Sequence, residues 1–142
     1  MRIVVDMDNT LTDEFGSTAR PGIHDFLKSL LKSEHELILW TNSTAERART
    51  IIAEHELRNY FNTFIFREDY DPQNTGKHKD IGSVSADIII DDDPQEIKAA
   101  QHSKKIGILI SPFRKGGKVQ KAELANIKAQ IDKASQKKWR LF

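Results

Sequence analysis

Five short apolar runs, at residues 3–5, 37–40, 64–66, 88–90 and 106–110, recur along the chain between segments of helical periodicity. Each run is nearly unbroken by polar residues, whereas a strand with one wet face would alternate. Continuous apolar strands belong to parallel sheets covered by helices on both faces. The intervening segments supply those helices. Ile23, Phe26, Leu27, Leu30 and Leu31 fall at the i, i+3, i+4, i+7 and i+8 positions of an amphipathic helix. Ser43-x-x-Glu46 reads as a capping box that opens a second helix with Ala48, Ile51 and Ile52 inward. Asp93 followed by Pro94, with Glu96 at the third helical position, opens a third. A fourth is expected over about residues 121–135, with Leu124, Ile127 and Ile131 on one side. Strands alternating with helices predict a three-layer, Rossmann-like α/β domain over residues 1–142, one unit long enough to bury a single core. No internal repeat interrupts it, and residues 114–118 read as a flexible turn.

Open parallel sheets bind ligands beyond the carboxyl ends of their strands, so the residues just past each run carry the functional information. Asp6 and Asp8 follow the first run; Thr41, Asn42 and Ser43 follow the second; Asp91, Asp92 and Asp93 follow the fourth. Helix capping accounts for Asp93 and for the hydroxyl cluster, but not for acids recurring at two strand ends. In an extended chain Asp6 and Asp8 share a face. Two carboxylates about 4 Å apart repel by roughly 4 kcal/mol at an effective dielectric of about 20. A hard divalent cation such as Mg²⁺ would offset that, and a solvated turn capped by Asp8 and Asn9 would avoid it; Asp6-x-Asp8-x-Thr10 alone fits both. Cations stand nearby in the loop Gly76-Lys77-His78-Lys79, where Lys77 or Lys79 would balance acids crowded around a bound phosphate.

Composition removes several classes. The chain lacks cysteine, which excludes disulfides, thiol nucleophiles and zinc–cysteine sites. With 30% charged residues and a mean hydropathy of −0.55, and with only Ile3-Val4-Val5 after Met1-Arg2, it offers no signal peptide or membrane span. A cytoplasmic location is the default expectation. The formal charge of +1 hides a basic tail after Ser111, with Arg114, Lys115, Lys118, Lys121, Lys128, Lys133, Lys137, Lys138 and Arg140 against Glu123 and Asp132. Such a run suits a solvated helix face better than a nucleic-acid surface, although a polyanion partner stays open.

The order D-x-D-x-T, strand plus Thr, Lys, then strand plus paired Asp resembles the four motifs of the haloacid dehalogenase superfamily, over residues 3 to about 110. Within it the chain is most similar to the FCP/SCP, or NIF-like, phosphatases. Arg20-Pro-Gly-Ile-His-Asp-Phe-Leu, Leu37-Ile-Leu-Trp-Thr-Asn, Phe66-Arg-Glu-Asp and Lys79-Asp-Ile carry that resemblance. It implies a Mg²⁺-dependent phosphatase acting on phosphate monoesters, with Asp6 as nucleophile and Asp8 as acid and base. It further implies Thr41, Asn42 and Lys79 on the phosphate, and Mg²⁺ on Asp6, the Asp8 backbone carbonyl and Asp92. It prefers Lys79 to Lys77. The chain departs at Asp91-Asp92-Asp93-Pro94, where the group has DNSP, and at Asn9, where it commonly has Glu, departures that bear on a phosphoprotein substrate rather than on the chemistry. Residues 11–23 and 41–64 leave no room for a cap domain. An open site suits a phosphoprotein, a nucleic-acid end or a small ester, and the basic tail keeps a nucleic-acid 3'-phosphatase in view. A receiver-like or HAD-like module that only binds phosphate is the non-enzymatic alternative. A receiver has its paired acids after the first strand and its phosphoacceptor, Thr and Lys later, the reverse of the placement here, and a binding-only scaffold predicts a missing nucleophile or acid/base, whereas both Asp6 and Asp8 are present.

Overall fold

The computed structural model describes residues 1–140. Its strands β1 (Arg2–Val5), β2 (Glu36–Trp40), β3 (Thr63–Ile65), β4 (Ile88–Asp91) and β5 (Ile106–Leu109) form one parallel sheet in the order β3-β2-β1-β4-β5. Five helices accompany it: α1 (Ile23–Lys32), α2 (Ala45–Glu54), the single-turn α3 (Arg67–Tyr70), α4 (Pro94–His102) and α5 (Glu123–Arg140). This is the α/β, Rossmann-like architecture expected from the sequence. The chain steps outward from β1 through β2 to β3, then returns to the other side of β1 for β4 and β5. That reversal puts a crevice beside β1 at the carboxyl edge. Register aligns the edge: Val5 lies level with Leu39 and with Ile90, so Asp6 emerges beside Asp91.

The side-chain period of two divides each central strand between two cores. Ile3, Val5, Leu37, Leu39, Ile88 and Ile90 pack with α1, α2 and α5; Val4, Ile38, Trp40 and Ile89 pack with α4 and with Ile81 and Ala86. Helix α1 follows from its own periodicity, burying Ile23, Phe26, Leu27 and Leu30. Burial of each such side chain is worth about 1.5–3 kcal/mol, which fixes this helix against the sheet. Helix α5 answers from the same side with Ile127 and Ile131.

Several expectations need correction. The outer strands are not buried runs: Ile106 and Leu109 are 38% and 52% exposed, because β5 is an edge strand. Strand β3 ends one residue earlier than expected, and Phe66 instead caps α3, its backbone N–H donating to the Asp69 carboxylate at 2.9 Å. Leu31 lies at the margin of the apolar stripe and is exposed. Ser43 does not cap α2. Its carbonyl accepts the Arg67 N–H at 3.0 Å, and Thr44 takes the cap, accepting from the Arg47 N–H. Helix α5 begins at Glu123 and runs on to Arg140. Asp93 caps α4 as read, accepting from the Gln95 N–H at 2.9 Å. Between β1 and α1 lies only a tight loop held by single bridges of Thr12 to Asp8 and to Ala19. No helix among the described residues is long and apolar enough to cross a membrane.

Candidate active site

Three acids meet where β1 and β4 end. Carboxylate oxygens of Asp6, Asp91 and Asp92 lie within 4.8 Å of one another. The buried Lys79 ammonium stands among them, 2.9 Å from Asp6 Oδ1 and 2.7 Å from Asp91 Oδ2. The Thr10 hydroxyl donates to Asp6 Oδ2 at 3.1 Å and lies 3.5 Å from Asp92 Oδ1. Lys79 comes from a loop without regular structure, so its placement needs anchors. Asp71 accepts from the N–H groups of Thr75, Gly76 and Lys77, and Glu96 of α4 accepts from the Lys79 N–H at 2.8 Å. The side chain of Lys77 is exposed, so Lys79 is the lysine brought to the acids.

Burial dominates the electrostatics. It pushes the Asp6 carboxyl up to about 6 against the pull of Lys79. Burial and the neighbouring Asp6 charge push Asp91 to about 7, and burial raises Asp92. For Lys79, burial disfavours the charge, but the flanking Asp6 and Asp91 outweigh it and raise the ammonium's pKa. Once all three carboxylates are ionised, one ammonium leaves two negative charges uncompensated in a largely buried pocket. A hard dication with oxygen ligands fits both that charge and that donor set. The residues therefore fit a divalent metal.

The remaining expected residues are distributed differently. Asp8 lies beyond the strand that leads to Asp6. The strand stops at Val5 and a turn follows, with Thr10 and Leu11 N–H groups donating to the Met7 carbonyl and Asn9 at φ 64°, so the period of two no longer applies. The Asp8 carboxylate is instead held by the Arg47 guanidinium in two bonds of 2.9 and 3.0 Å. Thr41 is buried at the end of β2, its Oγ1 accepting the Ser43 N–H at 3.0 Å. Asn42 is exposed, its Nδ2 donating to Asn74 Oδ1 at 3.2 Å and its backbone carbonyl accepting from Arg67 Nε at 2.8 Å. Arg20, which opened the Arg-Pro-Gly segment, is a buried staple whose guanidinium donates to the carbonyls of Asn9, Thr10 and Ser111. Asp91 and Arg47 were not singled out by sequence. Asp91 was visible as the first of three consecutive acids, whereas Arg47 offered no local signal.

A family profile described as NLI interacting factor-like phosphatase matches residues 1–139. No individual curated protein matches by sequence. Among solved structures, D,D-heptose 1,7-bisphosphate phosphatase from B. bronchiseptica, complexed with magnesium and phosphate, is similar with a TM-score of 0.64 at 15% identity, over 94% of this chain and 98% of that one. A hydrolase from Streptococcus pneumoniae gives 0.66 at 12% identity, over 92% and 97%. A chain of the Pnkp1/Rnl/Hen1 complex gives 0.61 at 13% identity over 78% of this chain, which spans only 46% of that one. At such identities these structures speak for the fold.

Proposed function

Since the chain belongs to the NLI interacting factor-like phosphatases of the haloacid dehalogenase superfamily and is a phosphoric monoester hydrolase, we propose that it works through an aspartyl-phosphate on Asp6 with Mg²⁺ as its metal. The observation that carries this reading is the buried cluster of Asp6, Asp91 and Asp92 around Lys79. In the first step an Asp6 carboxylate oxygen forms a bond to phosphorus as the ester P–O bond breaks, and the electron pair leaves with the ester oxygen. Asp8 donates a proton to that oxygen. In the second step Asp8 takes a proton from a water that attacks the phosphorus, and the P–O bond to Asp6 breaks, releasing inorganic phosphate. Lys79 neutralises non-bridging oxygens, and the Thr41 hydroxyl, which accepts from Ser43, keeps its own proton to donate to them. Asp6, Asp91 and Asp92 would hold the metal, with the Asp8 backbone carbonyl as the family resemblance implies. Bound there, Mg²⁺ supplies charge neutralisation and polarises the phosphoryl oxygens.

The uncapped edge supports an accessible ester, either on a protein or on a small molecule. A nucleic-acid end is the second substrate reading, favoured by likeness to a chain of the Pnkp1/Rnl/Hen1 complex. The position of the basic tail weighs against it. Lys138 on α5 pairs at 3.0 Å with Asp87, which precedes β4 at the amino edge of the sheet, opposite the acids. The test is hydrolysis of p-nitrophenyl phosphate by wild type and Asp6→Asn, with Mg²⁺ and with chelator. Loss of activity by more than about a thousandfold in the variant is expected, since removing a covalent nucleophile forfeits the whole pathway. Equal rates would remove Asp6 from the mechanism. A panel of phosphopeptides, sugar phosphates and 3'-phosphorylated oligonucleotides then separates the substrate classes.

A further inference from the structure

Asp8 sits in a turn beyond β1 with a side chain 29% exposed, and the only hydrogen bonds to its carboxylate among the described residues come from Arg47. Arg47 is itself fixed. From the first turn of α2 its Nη1 donates to Ser43 Oγ at 3.0 Å and its Nη2 to the Glu14 carbonyl at 3.2 Å, besides the two bonds to Asp8. One planar guanidinium thus joins the end of β2, the loop after β1 and Asp8. Exposed ion pairs of this kind contribute only about 0–1 kcal/mol to stability, so holding the fold together does not account for four bonds converging on one side chain. What a two-pronged guanidinium does provide is direction, because its fork fixes the plane of the carboxylate it grips. Each carboxylate oxygen retains a further lone pair for a proton in transit.

We propose that Arg47 is a positioning residue that aims Asp8 at the leaving oxygen, and so sets how steeply the rate falls as the leaving group becomes more basic. This rests on the acid role given to Asp8 above. A stable anion such as p-nitrophenolate departs without a proton, whereas a more basic oxygen departs only as the P–O electron pair is met by one. A misaimed Asp8 therefore slows basic leaving groups selectively. General damage to the site slows all of them alike.

The experiment measures kcat/KM, which reports formation of the phosphoenzyme, for aryl phosphates running from p-nitrophenyl through phenyl to p-methoxyphenyl, with saturating Mg²⁺. Wild type, Arg47→Ala, Arg47→Lys, Asp8→Asn and the Asp8→Asn/Arg47→Ala double variant are compared. With general acid catalysis worth about 10²–10⁴-fold, Arg47→Ala is expected to lose at least about tenfold more on the p-methoxyphenyl ester than on the p-nitrophenyl ester. Arg47→Lys, which keeps the charge but not the fork, should fall between Arg47→Ala and wild type, and it serves as the test if the alanine variant does not fold. In the Asp8→Asn background, Arg47→Ala should cost nothing further on the basic ester. Equal losses across the series, or losses that multiply in the double variant, would overturn the assignment. Full activity in Asp8→Asn would instead overturn the acid role of Asp8, a separate outcome.

Discussion

Replacing Lys79 by Met removes the only cation in contact with the acids among the described residues and leaves Asp6, Asp91 and Asp92 facing one another with little solvent. Breaking a buried ion pair by deleting one partner costs about 3–5 kcal/mol. Unfolding entropy of about 2.1 cal/mol/K per residue near 60 °C gives this chain of 142 residues roughly 0.3 kcal/mol/K. The variant's Tm should therefore fall by about 10–17 °C in chelator at pH 8. The pH dependence has a definite sign. Asp6 and Asp91 have folded pKa values raised to about 6 and about 7, above the ordinary carboxylate value. Between about pH 4 and 7 the folded state thus keeps protons that the unfolded chain has released, and stability falls as pH rises through that window. Without Lys79 the acids hold their protons more tightly still, so the deficit should be largest at pH 8 and shrink toward pH 5. Added Mg²⁺ should raise the variant's Tm by more than the wild type's, since a dication meets an additional uncompensated charge. Calorimetry at pH 5 and pH 8, in chelator and in Mg²⁺, reads all of these. A Tm drop under about 3 °C at pH 8, or a larger deficit at pH 5, would refute the reasoning.

Other outcomes follow from the same geometry. At Gly107 on β5 an added Cβ would lie 2.8 Å from Ile97 Cγ2 and 3.0 Å from the Ile97 carbonyl oxygen, so Gly107→Ala must push α4 off the sheet. A loss of about 1–3 kcal/mol by urea titration is expected, whereas Gly116→Ala, with nothing within 4 Å, meets only the strain of its φ of +75°. Burial, helped by the amino terminus and Lys128, lowers the pKa of His35, so the unfolded state takes up its proton first as pH falls below about 6.5. The difference in Tm between wild type and His35→Gln should thus shift against wild type between pH 7 and pH 5, and a difference independent of pH would contradict this.

How much of this was readable from sequence varied with the range of the interaction responsible. The three central strands were plain, because burial on both faces leaves no polar residue at 3–5, 37–40 or 88–90. The outer strands misled, since Ile106 and Leu109 are apolar yet face outward on an edge, and apolarity alone does not say how many neighbours a strand has. Ser43 and Thr44 both satisfy local capping rules. The choice was made by Arg67, which claims the Ser43 carbonyl from 24 positions away. The acids at the ends of β1 and β4 were legible because parallel topology gathers strand ends. That Asp8 would be gripped by Arg47 was not, for the strand's period stops where β1 does. Arg47 reaches Asp8 across 39 positions in sequence, and a lone arginine in a helix carries no mark of such a partner.

The central claim is that Asp6 itself becomes phosphorylated. During turnover of a phosphate monoester with Mg²⁺, the reaction would be quenched in milliseconds, reduced with borohydride and mapped by peptide mass spectrometry, which converts an aspartyl-phosphate to homoserine. Homoserine at position 6, absent without substrate, is the predicted result. Full turnover with Asp6 unmodified, or with homoserine at position 8, 91 or 92, would contradict the account.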